Sequence, residues 1–342
     1  MTVLAQHRRR LFIGGIIGIF VVVAVVIISD AGALADALES FDWRLAPAIF
    51  GLTLLNYLLR WVKWHYYLHV IDVDTVTRRD SALIFSAGLT MALTPGKVGE
   101  LLKSYLLRAR TGIPMSRSAP VLVAERATDA IGLLILAFFG LIAFRNGWQI
   151  LVASAIVIAM GLLVVQHDAT MVRLLNRVGS MRAMKGRAAS LELLYTNMRT
   201  LLRPRPLGMG IAIGVVSWFF ECVAFYLILV GLDLPRSAEL LLQATFVFTV
   251  SAWVGGLSLL PGGLGASEAS VAGLLLLIVD DPGMTTSVAG AATLLVRFAT
   301  LWFGVLIGVT ALARVAHWVT DAEDDGATDD SGPRVEGMAT GR

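Results

Sequence analysis

Two long apolar stretches of this sequence are each interrupted by a proline–glycine pair. The first reads Leu93-Thr94-Pro95-Gly96-Lys97-Val98-Gly99-Glu100; the second reads Leu259-Leu260-Pro261-Gly262-Gly263-Leu264-Gly265, with Glu268 just after it. Proline donates no backbone hydrogen bond, and the groups such a break sets free cost several kcal/mol each if they face lipid. Breaks of this kind survive where they line a cavity, and a pair of them in the two halves of a transporter points to its binding site. The break residues of interest are Pro95, Gly96 and Gly99 in one half, and Pro261, Gly262, Gly263 and Gly265 in the other.

The composition supports a membrane setting: 57% of residues are hydrophobic and 15% charged, against about 25% charged in ordinary soluble chains. Apolar runs at 11–29, 45–68, 119–144, 148–166, 207–230 and 286–312 reach or exceed the ~17–25 residues a helix needs to cross a bilayer. The broken stretches 81–107 and 240–280 add to them. Run 11–29 follows Arg8, Arg9 and Arg10 and is longer than the ~7–15 residues of a signal-peptide core, so it reads as an anchor. The one cysteine, Cys222, sits inside an apolar run, which leaves no disulfide within the chain and little prospect of thiolate metal binding.

Loop charge sets the topology. Arg8–Arg10, Arg78 with Arg79, Arg108 with Arg110 and Arg117, and the arginines of 167–205 fall on one side by the positive-inside rule. The loops with Asp30, Asp36 and Glu39, with Asp233 and Glu239, and with Asp280 and Asp281 fall on the other. These basic residues flank spans, so they carry no nucleic-acid reading. The expected protein is an all-α polytopic inner-membrane protein with both termini cytoplasmic. Its integral domain covers 1–320, and the acidic tail 321–342 is read as disordered. The basic loop 167–205 is read as cytoplasmic amphipathic helix, with a plain linker as the alternative.

The same walk makes the first hairpin open to the cytoplasm and the second to the exterior. Units 45–144 and 207–312, each helix–broken hairpin–helix, then form an inverted repeat with its site near the midplane. Both Pro-Gly hairpins are read as re-entrant. Segment 81–94 rises only about 21 Å, short of the ~30 Å hydrocarbon core, whereas 240–260 is long enough to cross, so the second hairpin stays open between re-entry and full crossing.

An ion in mid-bilayer costs at least about 2.5–3.5 kcal/mol, so each intramembrane charge needs a reason. Lys97, Glu100 and Lys103 share one helix face after the first break; Glu125, Arg126 and Asp129 sit in run 119–144; Glu268 follows the second break; Arg297 lies within the last run. Together they form the candidate substrate-binding set, with cations to hold an anionic head group and carboxylates to orient them or carry protons. The alternative makes Glu100 and Glu268 complements to half-helix dipoles, Glu125, Arg126 and Asp129 mutual anchors near the inner interface, and Arg297 a counter-ion to Glu268. Arg60 and Lys63 lie beside Trp61, Trp64, Tyr66 and Tyr67, an apparent aromatic belt, which favours snorkelling to the interface as much as a cavity role. Glu221 is an isolated acid in mid-helix with its role open. His65 and His69 are one turn apart but lack a third ligand, so no metal site is expected. There is no GxSxG, HExxH or P-loop lysine motif, and neither an enzyme activity nor a cofactor is expected.

The ordered set Thr94–Glu100 with Lys103, then Glu125-Arg126 with Asp129, then Leu260–Gly265 with Glu268 resembles the lysylphosphatidylglycerol synthase transmembrane family over roughly 10–315. That resemblance implies a flippase-like, lipid-handling domain. The synthases carry aminoacyl transfer in a large soluble C-terminal domain, for which the sequence leaves no room after its last apolar run, so a stand-alone member is expected. The resulting expectation is a lipid transporter binding an anionic head group, phospholipid or polyprenyl phosphate, in a midplane cavity. The alternatives are a proton-coupled carrier of a small anion, and a non-transporting partner of a glycosyltransferase or lipid synthase.

Overall fold

A computed structural model describes residues 31–94, 101–141, 152, 156 and 188–329, the side chains of 188–191 and 319–329 excepted. Every regular element among them is helical. The first half contributes α1 (Ala31–Glu39), α2 (Ala46–Val70), α3 (Arg78–Gly88) with a tight turn over Leu89–Leu93, α4 (Leu102–Thr111) and α5 (Met115–Gly140). The second contributes α6 (Ala188–Leu201), α7 (Pro204–Gly231), α8 (Ala238–Leu257), α9 (Ala266–Ile278), α10 (Thr286–Arg297) and α11 (Phe303–Asp329). A π-helical turn, Phe298–Trp302, joins the last two. The run 11–29, the span 148–166 apart from 152 and 156, the stretch 167–187, the tail beyond 329 and the motif residues Pro95, Gly96, Lys97, Gly99 and Glu100 lie outside the described residues.

Local chemistry fixes the helix starts. The hydroxyls of Thr77, Ser237 and Thr285 accept from the backbone N–H of Asp80, Leu240 and Val288, satisfying donors that the first turn of a helix leaves open. Pro204 opens α7, where a missing N–H costs nothing.

Five helical segments among the described residues are long and apolar enough to cross a membrane: Trp43–Val70, Pro204–Gly231, Ala238–Leu257, Pro261–Ile278 and Thr286–Trp318. Helix α5, with 26 residues, is long enough too, at about 39 Å, but carries Glu125, Arg126 and Asp129. Large apolar side chains such as Leu58, Phe138, Leu277 and Leu306 stay exposed on the outer faces, as expected where lipid is the solvent.

The buried apolar side chains form two main clusters, one mostly from each half and each drawing residues from the other. Leu68, Ile84, Leu106 and Val121 anchor the first; Phe225, Leu229, Val247 and Leu275 anchor the second. The two are tied by the long contact of α2 with α7 and by a reciprocal exchange. Helix α5, which ends the first half, packs on α8 of the second, while α11, which ends the second half, packs on α3 and the Leu89–Leu93 turn of the first. Glycine permits both approaches. A Cβ added at Gly140 would stand 2.7 Å from Cβ of Phe246, and one at Gly308 would stand 2.5 Å from the backbone nitrogen of Thr90.

One boundary differs from that read in the sequence. The last helix continues through Asp329, so the acidic residues 321–329 extend it instead of leaving it at 312. Within the basic loop, Ala188–Leu201 is helical and docks against α5, with Leu201 buried and the Asn197 amide donating to the Arg117 carbonyl at 3.2 Å.

Candidate functional site

The second Pro-Gly break is a tight turn over Pro261–Gly263, which needs the left-handed conformation at Gly262 (φ 64°) and Gly263 (φ 66°). Gly263 is also wedged against α8: a Cβ there would lie 2.8 Å from the Gly255 Cα. Just before the turn Leu259 has φ 55°, a conformation that costs a non-glycine residue roughly 1–3 kcal/mol. One ion pair holds the turn. The Glu268 carboxylate accepts from the Gly265 N–H at 2.7 Å, capping α9, and from Arg297 Nε at 2.5 Å; Arg297 Nη2 also donates to the Gly262 carbonyl at 3.1 Å. Leu93, at the edge of the first break, packs with Leu264 against Leu301, Trp302 and Val305, so the segments flanking the two breaks meet.

The first-half charges are paired just as closely. The Lys103 ammonium donates to Glu125 at 2.6 Å and lies 4.5 Å from the Trp64 ring centroid, with both charged groups almost wholly buried. Lys63 donates to Asp129, again deep in the protein, and Arg126 approaches the other Asp129 oxygen at 3.1 Å. Pairing of this quality is what makes buried charge tolerable in a low-dielectric interior.

Two cavities adjoin these pairs. One of about 180 Å³, called the polar cavity for the charged groups it holds, is lined by Arg60, Lys103, Glu221 and Arg297 with Ser251 and Ser267, among apolar side chains such as Phe85 and Phe248. It is far larger than the ~10–15 Å³ one water needs. A second, of about 490 Å³, is walled chiefly by apolar side chains, among them Leu101, Val123, Leu133 and Leu257, with Arg126 and Asp129 on one side. Trp218, Ala252 and Gly256 belong to the walls of both. The π turn borders the polar cavity, where the Tyr57 hydroxyl donates to the Thr300 carbonyl; π turns interrupt the normal ladder and recur at functional sites.

Of the candidate residues read from the sequence, Lys103 and Arg297 reach the polar cavity, Arg126 and Asp129 the apolar one, and Glu125 and Glu268 stand behind them as carboxylate partners. Arg60 and Glu221 are part of the polar wall although sequence reasoning left them secondary, and Lys63 is buried in its pair with Asp129. The apparent aromatic belt misplaced Arg60 and Lys63: Trp64 and Tyr67 are fully buried core residues, so the helix face they mark points inward, not to the interface. His65 engages Ser81 at 3.1 Å and His69 engages Asp74 at 2.5 Å; among the described residues no group of three metal-ligating side chains gathers.

Residues 15–308 match the family described as the lysylphosphatidylglycerol synthase TM region. The chain belongs to that family. Proteins similar to it include three UPF0104 membrane proteins of Methanothermobacter thermautotrophicus. One is 25% identical over 90% of this chain and 95% of its own length; two others are 23% identical, covering 85% and 90% of this chain and 90% and 93% of theirs. Family membership and the five apolar helices together make this a multi-pass membrane protein.

Proposed function

We propose that this family member binds and translocates an anionic membrane lipid, a phospholipid or polyprenyl phosphate, in the inner membrane. The phosphate sits in the polar cavity and the acyl or polyprenyl chain lies along the apolar one. The observation that carries this reading is the adjacency of the two cavities across Trp218, Ala252 and Gly256. A soluble anion needs only the first, while an amphiphile needs both. Family membership supports the same choice, and the exposed apolar side chains of Val123 and Leu257 at the second cavity are suited to contact with bilayer chains.

The inverted repeat belongs to this proposal. What supports it is the reciprocal packing of α5 on α8 and of α11 on α3, the pattern a two-fold axis in the membrane plane would generate. The arms of the first hairpin, α3 and α4, have 11 and 10 residues and rise about 17 and 15 Å, which suits re-entry. Arm α8, at 20 residues and about 30 Å, suits full crossing.

The test is native mass spectrometry of the protein extracted with its lipids, paired with translocation of a labelled phosphatidylglycerol in proteoliposomes. The expected result is retained anionic lipid and translocation, both reduced at least about tenfold by Arg60→Gln with folding intact. Transport of inorganic phosphate with no lipid retained would overturn the lipid reading in favour of a soluble-anion carrier.

A further inference from the structure

Among the described residues, four arginine, lysine and glutamate side chains line the polar cavity, and two are already committed: Lys103 to Glu125, and Arg297 to Glu268 and the Gly262 carbonyl. Arg60 and Glu221 are different. Arg60 makes no ion pair among the described residues; its guanidinium lies 5.4 Å from the Trp218 ring centroid, and its Nε is buried with no hydrogen-bond partner. Glu221, on α7 across from α2, is 3% exposed, and its Oε2 has no donor. Ser251 Oγ, on the same wall, is buried and unpartnered too.

The groups that face Glu221 are Thr53, Tyr57 and Arg60 from α2, with Cys222 beside it on its own helix. Helix α8 brings Phe248, Ser251, Ala252, Gly255 and Gly256 to the cavity, and α9 brings Ser267 and Val271, none of them charged. Lys103 from α4 and Arg297 from α10 reach the cavity with their charge balanced by their own carboxylates. Among the described residues, Arg60 is therefore the one cation on this wall whose counter-ion is not fixed, and Glu221 the one carboxyl not fixed to a cation.

We propose that Glu221 is the proton carrier of this site and that it alternates with the bound anion as counter-ion to Arg60. The proposal rests on the lipid-binding reading above. A guanidinium left alone in the protein interior is costly, so the cavity favours one negative charge beside Arg60. Two negative charges within a few ångströms in low dielectric repel strongly, so it disfavours a second. With the phosphate on Arg60, the Glu221 carboxyl holds its proton. When the phosphate leaves, Glu221 releases that proton to the water on the side to which the cavity opens, and its carboxylate takes over the charge of Arg60. One proton is bound for each anion bound and released for each anion released. No other bond is made or broken.

The experiment measures binding of phosphatidylglycerol to the purified full-length protein as a function of pH, with unfolding midpoints recorded for every variant. Wild type is expected to bind about tenfold more weakly per pH unit above the titration of the site, as one linked proton requires. Glu221→Gln is expected to bind at every pH with the affinity wild type reaches at low pH, and Glu221→Asp to keep the dependence with a displaced midpoint, which covers failure of the amide to fold. Wild-type binding that does not vary with pH, or a Glu221→Gln variant that keeps the wild-type slope, would overturn the proton-carrier role and leave lipid binding standing. Wild type that binds no phosphatidylglycerol at any pH would overturn both readings.

Discussion

Replacing Lys103 by methionine separates a structural charge from a ligand-binding one. Methionine keeps the length of the lysine stem, with sulfur in place of one methylene, and removes the ammonium. That ammonium is 2.6 Å from a Glu125 oxygen, and the two side chains are 4% and 1% exposed. At an effective dielectric of about 20 the pair attracts by roughly 6 kcal/mol, most of which offsets the cost of taking two charges out of water. Removing one partner leaves that cost uncompensated, so Lys103→Met is expected to destabilise the protein by about 3–5 kcal/mol, as is Glu125→Gln. Removing both, in Lys103→Met/Glu125→Leu, abolishes the stranded charge and should return stability to within about 2 kcal/mol of wild type. Reversible unfolding by SDS titration in mixed micelles, followed by tryptophan fluorescence, reads all four proteins. If Lys103→Met lost less than about 1 kcal/mol while phosphatidylglycerol binding collapsed, Lys103 would be a free cation awaiting ligand and the pairing argument would be wrong. If the double variant were as unstable as the worse single one, the cost would lie in packing beside Trp64 instead of in charge.

Two further outcomes follow from geometry alone. Gly263→Ala should cost about 2–5 kcal/mol, combining the left-handed backbone with the 2.8 Å clash against the Gly255 Cα, whereas Gly112→Ala, with φ 72° but nothing within 4 Å, should cost about 1–2 kcal/mol; equal thermal midpoints for the two would refute the wedge at Gly263. If the halves are inverted, single cysteines placed in the turns 108–117 and 280–282 will react with a membrane-impermeant maleimide from opposite faces of sealed vesicles, and labelling of both from one face would remove the inversion.

The sequence disclosed the helical class and the second break because both depend on local chemistry: apolar length makes spans, and Pro261-Gly262-Gly263 favours a turn. It also disclosed which charges lie inside, since Lys103, Glu125, Asp129, Glu268 and Arg297 all fall within apolar runs. Partnership was less legible. Arg297 and Glu268 are close because α9 and α10 form a hairpin, and a counter-ion role for Arg297 could be read from that succession. Lys63 with Asp129 joins α2 to α5, and no periodicity predicts that crossing. Arg60 and Glu221 were harder still. Glu221 is an isolated acid on a long helix, and the tryptophans and tyrosines beside Arg60 and Lys63 imitate an interface. Only the α2–α7 packing, closed by the Asn56 amide donating to the Ser217 carbonyl at 2.8 Å, turns that aromatic face inward and brings the two charges to one wall.

That crossing also explains why so many charges can share a small volume without making the site indiscriminate. Lys63, Lys103 and Arg297 each face a carboxylate at hydrogen-bonding range, so to a ligand they are closer to dipoles than to free cations. Their pairs fix the helices and the Pro261–Gly263 turn, and a phosphate that tried to displace Glu125 or Glu268 would strand a carboxylate in the interior at a cost of several kcal/mol. Among the described residues, the free positive charge on the polar wall therefore narrows to Arg60, backed by the Trp218 face. A site with one uncommitted cation beside one uncommitted acid can bind an anion and release it, which a cluster of several unpaired arginines and lysines would not.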